Sequence, residues 1–188
     1  MMIQPIRIFD NFYSNDELGF IFFEGLMNYF NVSCQPGKVY YQNPSHAYPC
    51  HETKKFDDKT LVYHTLIKKL NPLFDNKIKT LTTFFRKTLR SEILENKSQF
   101  KSDAPLRHQD LDADFAGLIY ITNLSIMDGT KLFTVNKDQW EPDIVVGAKP
   151  NRMIVYDSKI WHEPNFDKNI ESRFIQPFFI KLEKENEI

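Results

Sequence analysis

The chain has 188 residues, with 24 Lys+Arg against 25 Asp+Glu and a formal charge of −1. That length suits one domain, and 41% hydrophobic residues with 17 Phe give apolar material for one packed core. The balanced charge excludes a chain-wide electrostatic footprint for nucleic acid or an anionic membrane, and leaves open only a local basic groove.

Arg7-Ile8-Phe9 reads as a short strand running into an Asp10-Asn11 turn. Ser14-Asn15-Asp16-Glu17 has the capping-box form and predicts a helix over 15–29, with Leu18, Ile21, Phe22 and Leu26 on one face. Residues 33–56, punctuated by Pro36-Gly37, Asn43-Pro44 and Tyr48-Pro49, read as loops. Asp57-Asp58 opens a second helix that turns Leu61, Tyr63 or His64, Leu66, Ile67 and Leu70 inward and stops or kinks at Asn71-Pro72. From there the period changes. Residues 80–86, 106–110, 115–122, 131–135, 143–146, 153–156 and 173–182 are strand-like, rich in β-branched and aromatic residues. Asp128-Gly129, Glu141-Pro142, Lys149-Pro150-Asn151 and Glu163-Pro164-Asn165 separate them. Many short strands without a β-α-β alternation point to a sandwich, barrel or jelly roll rather than a doubly wound sheet. The expected architecture is one domain, mainly β with N-terminal helices (α+β): a helix-rich part over 1–75 and a β core over 78–183.

Two Cys, Cys34 and Cys50, argue against a disulfide framework and for a reducing compartment. The start lacks a basic segment followed by an apolar one. The most apolar stretch, 18–30, carries Glu24 and Asn28 and is too short to span a bilayer. A soluble cytoplasmic protein is expected. Cys34, His46, Cys50 and His51 match no standard zinc spacing and read better as loop residues near a site.

The chemistry centres on His108-Gln109-Asp110. On a strand, His108 and Asp110 share a face and offer an imidazole nitrogen and a carboxylate oxygen together. Alone, this pair is a weak signal, because it recurs by chance and a lone strand His is usually packed or exposed without metal. His162, 52 residues beyond Asp110, supplies a third ligand candidate. Two His and one carboxylate on one face of a metal leave positions open, the arrangement of non-haem Fe(II) oxygenases. Arg173 follows 11 residues later and opens an apolar strand. An Arg pointing inward needs an anion, and its planar fork suits a carboxylate.

The run from His108-x-Asp110 through His162 to Arg173 resembles the core of the Fe(II)/2-oxoglutarate-dependent dioxygenase superfamily, in its prolyl 4-hydroxylase-like branch. Residues 115–123 resemble that family's strand after the H-x-D pair. Asp128-Gly129-Thr130-Lys131-Leu132-Phe133 resembles the hairpin after it, Asn151-Arg152-Met153-Ile154-Val155-Tyr156 the strand before the distal His, and 173–180 the closing strand. The likeness covers about 105–182, is weaker over 7–30, and is not found over 31–100.

The resemblance implies a double-stranded β-helix (jelly roll) core. It implies Fe(II) held by His108, Asp110 and His162, and 2-oxoglutarate held through its C5 carboxylate by Arg173. Tyr120 stands where the oxygen-sensing branch directs a Tyr hydroxyl at that carboxylate. O2 would take the remaining metal position. A peptide, protein or small molecule would be hydroxylated, with succinate and CO2 as coproducts. Asp110 favours hydroxylation over halogenation, which in this family needs a small residue there. Nucleic-acid demethylation is disfavoured, because Phe179 stands where that branch usually has a second Arg. A jelly-roll binding module without catalysis is the reading of a different class. Three departures stand out: Asp128 replaces a Gly, Pro177 interrupts the last strand, and the Tyr usual before H-x-D has only Phe84, Arg86 or Thr88 as counterparts. Phe179 alternates with Arg173 and is a candidate pocket floor, and Trp161 reads as packing. Substrate loops would fall in 31–56 and 91–104.

Overall fold

β1 (Ile6–Phe9) runs into Asn11, whose φ of 54° lies in the left-handed region that Asn tolerates. The capping box forms as the sequence predicts: Ser14 N–H donates to Glu17 Oε2 at 2.7 Å, and Glu17 N–H donates to Ser14 Oγ at 3.2 Å. α1 (Asn15–Met27) follows. The computed structural model describes residues 6–27, 32–34 (backbone only), 50–89, 91, 107–122, 125–134, 141–165 and 171–183. Positions 28 and 29 of the predicted helix therefore lie outside the described residues.

The buried face of α1 is rotated from the expected one. Ile21 and Gly25 are buried, while Phe22 and Leu26 are 38% and 63% exposed. The Phe174 ring fills the space a Gly25 Cβ would take, so the helix lies down on its glycine. Thr60, not Asp57 or Asp58, caps α2 (Leu61–Leu70), its Oγ1 accepting from Tyr63 N–H at 3.3 Å. That start turns Val62, Leu66 and Leu70 inward and leaves Leu61 61% exposed. Asn71-Pro72 ends the helix as expected, in a 3-10 turn (Asn71–Phe74).

The strands are β2 (Val32–Cys34), β3 (Cys50–Glu52), β4 (Ile78–Thr83), β5 (Arg86–Leu89), β6 (Phe115–Tyr120), β7 (Gly129–Phe133), β8 (Ile144–Gly147), β9 (Met153–Asp157), β10 (Trp161–Asn165) and β11 (Ser172–Leu182). They correct the sequence reading at four places. The stretch 33–56, read as loops, holds Cys34 on β2 and Cys50 and His51 on β3, which pair with each other. The run 80–86 is two strands, broken where Phe84 and Phe85 both bury. Residues 107–110 make one bridge, His108 to His162, rather than a strand. β10 runs through Pro164, read as a turn residue. It pairs with β7 on one side, and among the described residues the other side carries only the His108 bridge, so the missing N–H breaks no described ladder.

All pairings are antiparallel and form two sheets. The larger has the order β1-β9-β6-β11-β5-β3-β2, with β4 also on β11; the smaller is β10-β7-β8. β1, β2 and β3 thus bring the N-terminal part into the larger sheet. β11 is its spine. Ser172 to Ile175 pair with β5 and Phe178 to Leu182 with β4, leaving Gln176 and Pro177 between. Ile121 N–H donates to Phe174 O, which turns the even-numbered backbone of β11 toward β6. The missing N–H of Pro177 therefore faces the gap between β5 and β4, where the Thr83 hydroxyl donates to the Pro177 carbonyl at 2.9 Å in place of a ladder bond.

Alternation along the strands makes three layers. Ile119, Met153, Val155, Phe174, Phe178 and Ile180 pack under α1 and α2, with Ile21 and Leu66 among the helix contacts. Leu118, Tyr120, Ile154, Tyr156 and Ile175 face the smaller sheet and meet Leu132 and Val146. Among the described residues, no helix is long and apolar enough to cross a membrane.

A buried hydrogen-bond chain fixes the layers together. Asn151, at φ 61°, accepts from Tyr13 N–H and donates through Nδ2 to Tyr13 O, both at 2.7 Å. Tyr13 Oη donates to Gln176 Oε1 at 2.9 Å, and Gln176 Nε2 donates to Thr83 Oγ1 at 3.3 Å. Burial pushes the Tyr13 phenol far up, so it stays a donor. Asn151→Ala is expected to cost about 2–4 kcal/mol in urea unfolding, from two lost buried bonds and a strained φ; Asn151→Gly should cost about 1 kcal/mol less, since glycine relieves only the strain. Nearby, hydrogen bonds from Arg152 and Lys149 hold the Asp10 carboxyl at about 2, below its ordinary 3.8. Its stabilisation is full above the ordinary value and is lost as pH falls through the lowered one. Asp10→Asn should therefore flatten the acid side of the urea-midpoint profile between about pH 4 and about pH 2.

Candidate metal centre

His108 and His162 are each other's backbone partners. His108 N–H donates to His162 O and His162 N–H donates to His108 O, both at 2.9 Å. Their rings consequently stand side by side, centroids 4.2 Å apart. β9 leads directly to this point through a turn in which Lys159 N–H donates to Asp157 Oδ1 and Ile160 N–H to Asp157 O. The same turn holds Asp110, whose N–H donates to Ser158 O at 2.9 Å.

The three side chains converge. Asp110 Oδ2 lies 3.3 Å from His162 Nε2, and Oδ1 lies 3.8 Å from His108 Nε2. One ligand atom from each residue lies within 4.8 Å of the others, the one such group among the described residues. His162 Nδ1 lies 3.0 Å from Ile160 O. A carbonyl only accepts, so Nδ1 carries a proton, and Nε2 is the nitrogen that faces Asp110. Burial pushes the Asp110 carboxyl up, but hydrogen bonding and charge from His162, with His108 and Arg86 behind, hold it below its ordinary value. Two imidazoles and an ionised carboxylate facing one point fit a divalent transition metal.

The ligands border a pocket that also exposes Arg86, Thr130, Tyr156, Arg173, Ile175 and Phe179. Arg173 is 3% exposed, with Nη2 3.5 Å from Thr130 Oγ1 and Nε 3.8 Å from Asp128 Oδ2. Asp128, read from sequence as a departure, thus sets a buried carboxylate beside the buried guanidinium. Tyr120 is fully buried; its hydroxyl bonds Thr130 Oγ1 at 2.8 Å and its ring lies 5.5 Å under the Arg173 guanidinium. Tyr120 therefore stands behind Thr130, whose hydroxyl borders the pocket beside Arg173. Of the three candidates before H-x-D, Arg86 borders the pocket and pairs with Glu52 at 2.6 Å. Cys34 and Cys50 are opposite one another on β2 and β3, and His46 lies outside the described residues.

Sequence reading missed Thr130, Asp128 and a buried ion cluster beside the ligands. Glu163 lies 3.6 Å from Arg107 Nε and 3.5 Å from Lys131 Nζ, and the Arg107 guanidinium sits 3.4 Å from the Phe133 ring centroid. Arg107 precedes one ligand and Glu163 follows the other, so the cluster clamps the histidine bridge from its flank. Only the adjacency of charged residues to His108 and His162 could have signalled it. Glu163→Gln is expected to weaken Mn(II) binding about tenfold by calorimetry, within the range for residues that orient ligands. Unchanged affinity would show that the backbone bridge alone sets the ligands.

No protein-family model matches the sequence, and no curated protein sequence does. Solved structures do match. An oxidoreductase of the 2OG-Fe(II) oxygenase family from Burkholderia pseudomallei has a TM-score of 0.61 at 12% identity, over 94% of this chain and 85% of that one. A prolyl-4-hydroxylase from Pseudomonas putida has a TM-score of 0.58 at 10% identity, over 95% and 93%. The non-haem α-ketoglutarate-dependent epimerase SnoN of nogalamycin biosynthesis has a TM-score of 0.58 at 10% identity, over 95% and 78%. The likeness lies in the course of the backbone, and it is this that the chain shares with them: the fold of the 2-oxoglutarate/Fe(II) oxygenases, in the form found in prolyl 4-hydroxylases.

Proposed function

We propose that the chain is an Fe(II)- and 2-oxoglutarate-dependent oxygenase that hydroxylates a peptide, protein or small molecule. The observation that carries this is the convergence of His108, Asp110 and His162 on a pocket that also holds the buried Arg173. We read the facing sheets as the halves of a double-stranded β-helix and the chain as one oxygenase domain. Bound Fe(II) and 2-oxoglutarate would supply the oxidising chemistry with O2, releasing succinate and CO2.

The chain's own residues have defined tasks in this reading. His162 is held by Ile160 O with Nε2 directed at the metal position, and Asp110 stays ionised as the anionic ligand. Arg173 and Thr130 bind the C5 carboxylate, with Tyr120 fixing the Thr130 hydroxyl from behind. Tyr156 and Ile175 supply buried walls that exclude water, and burial pushes the Tyr156 phenol well up, so it remains neutral. Phe179 presents a ring to the pocket where nucleic-acid demethylases usually carry a second Arg, which keeps that branch disfavoured.

Purified protein with Fe(II), ascorbate and O2 is expected to convert 2-oxoglutarate to succinate, and His108→Ala to abolish this. Turnover that survives the substitution would overturn the ligand assignment. Arg173→Ala should weaken 2-oxoglutarate binding to the Mn(II)-loaded protein by about a hundredfold in calorimetry, the scale of a lost charge-assisted pair. Unchanged binding would remove Arg173 from the cosubstrate site.

A further inference from the structure

Three tyrosines are buried among the described residues: Tyr13, Tyr120 and Tyr156. Two of them have a protein partner for the hydroxyl. Tyr13 Oη donates to Gln176 Oε1 at 2.9 Å, and Tyr120 Oη shares a bond with Thr130 Oγ1 at 2.8 Å. The Tyr156 hydroxyl makes no hydrogen bond to a described residue. Tyr156 is 3% exposed, and it borders the metal pocket. A hydroxyl withdrawn from water without a partner costs about 1–3 kcal/mol. Phenylalanine would make the same wall without that cost, so packing accounts for the ring and not for its oxygen.

The strand sets where that side chain stands. Alternation along β9 puts Ile154 and Tyr156 on the face toward the smaller sheet. The Tyr156 ring lies against His162, centroids 4.8 Å apart. Of the charges that act on its phenol, Asp110 acts most strongly, while Arg173 and Arg86 act more weakly and in the opposite sense. The side chain thus stands between the metal ligands and the guanidinium end of the pocket, nearer the ligands. Arg173 and Thr130 lie together and serve one end of a dicarboxylate. Arg86 is held by Glu52 at 2.6 Å. What is left to Tyr156 is the other end, where ligand oxygens approach the metal. A neutral phenol is a donor, and an anionic oxygen is the acceptor that suits it best.

We propose that Tyr156 is a cosubstrate-binding residue, its hydroxyl donating to a carboxylate or keto oxygen at the metal-chelating end of 2-oxoglutarate. The inference rests on the oxygenase reading for the identity of that ligand. The two ends of one molecule are then read from different strands, the C5 end from β7 and β11 and the chelating end from β9.

The test uses the full chain loaded with Mn(II) and two probes: 2-oxoglutarate, and oxalate, which has a chelating end and no C5 carboxylate. By calorimetry Tyr156→Phe is expected to weaken both by about tenfold, the scale of one hydrogen bond to a charged acceptor, and to leave Mn(II) binding unchanged. Arg173→Ala is expected to weaken 2-oxoglutarate and spare oxalate. Without ligand, the urea midpoint of Tyr156→Phe should equal or exceed that of the wild type, because the hydroxyl has no protein bond to lose. A lowered midpoint would mark a structural hydroxyl and overturn the proposal. A loss confined to 2-oxoglutarate would do the same by moving the hydroxyl to the C5 end, and weakened Mn(II) binding by moving it to Asp110. The two readings fail differently. Wild-type protein that binds Mn(II) but neither probe overturns the oxygenase reading and the Tyr156 role with it, whereas probe binding that Tyr156→Phe leaves intact overturns the Tyr156 role alone.

Discussion

The two-residue alternation of β11 is the constraint on which the rest depends. Arg173, Ile175, Pro177, Phe179 and Lys181 share the inner face, while Phe174, Gln176, Phe178 and Ile180 face the helices. A one-residue slip would exchange the two sets, putting a guanidinium among the helix contacts and three aromatic or branched side chains into the pocket. Three features oppose the slip: pairing with β6 along most of its length, the Tyr13–Gln176–Thr83 bonds, and the Phe174 ring under Gly25. Pro177 marks where the strand passes from β5 to β4.

The charges near the pocket are arranged as local ion pairs and clusters rather than as a field. Arg173 has Asp128, Arg86 has Glu52, and Glu163 has both Arg107 and Lys131. Burying a lone guanidinium or carboxylate would cost several kcal/mol, so each buried charge is accompanied.

What could be read from the sequence was whatever a short pattern encodes. The Ser14/Glu17 box, the stop at Asn71-Pro72 and most inner strands follow from local propensity. The metal-ligand candidates follow from His108-x-Asp110 and a distant His and Arg in a recognisable order. The remainder is set by contacts between distant segments. Gly25 turned α1 because Phe174, 149 residues away in sequence, needs its space. Pro164 and Pro177 looked like breakers, yet among the described residues neither has a ladder partner on its N–H side. Thr130 became the hydroxyl beside Arg173 in place of Tyr120 because β7 stands between that ring and the opening.

The mutual backbone bonding of His108 and His162 has a consequence for folding. These residues are 54 positions apart, with β6 to β9 between them in the chain, so the bridge joins the ends of a long loop. An ion held there is a staple across that loop, opposing its reopening and adding stability that grows with the logarithm of metal concentration. Bound metal would then report that the loop has closed.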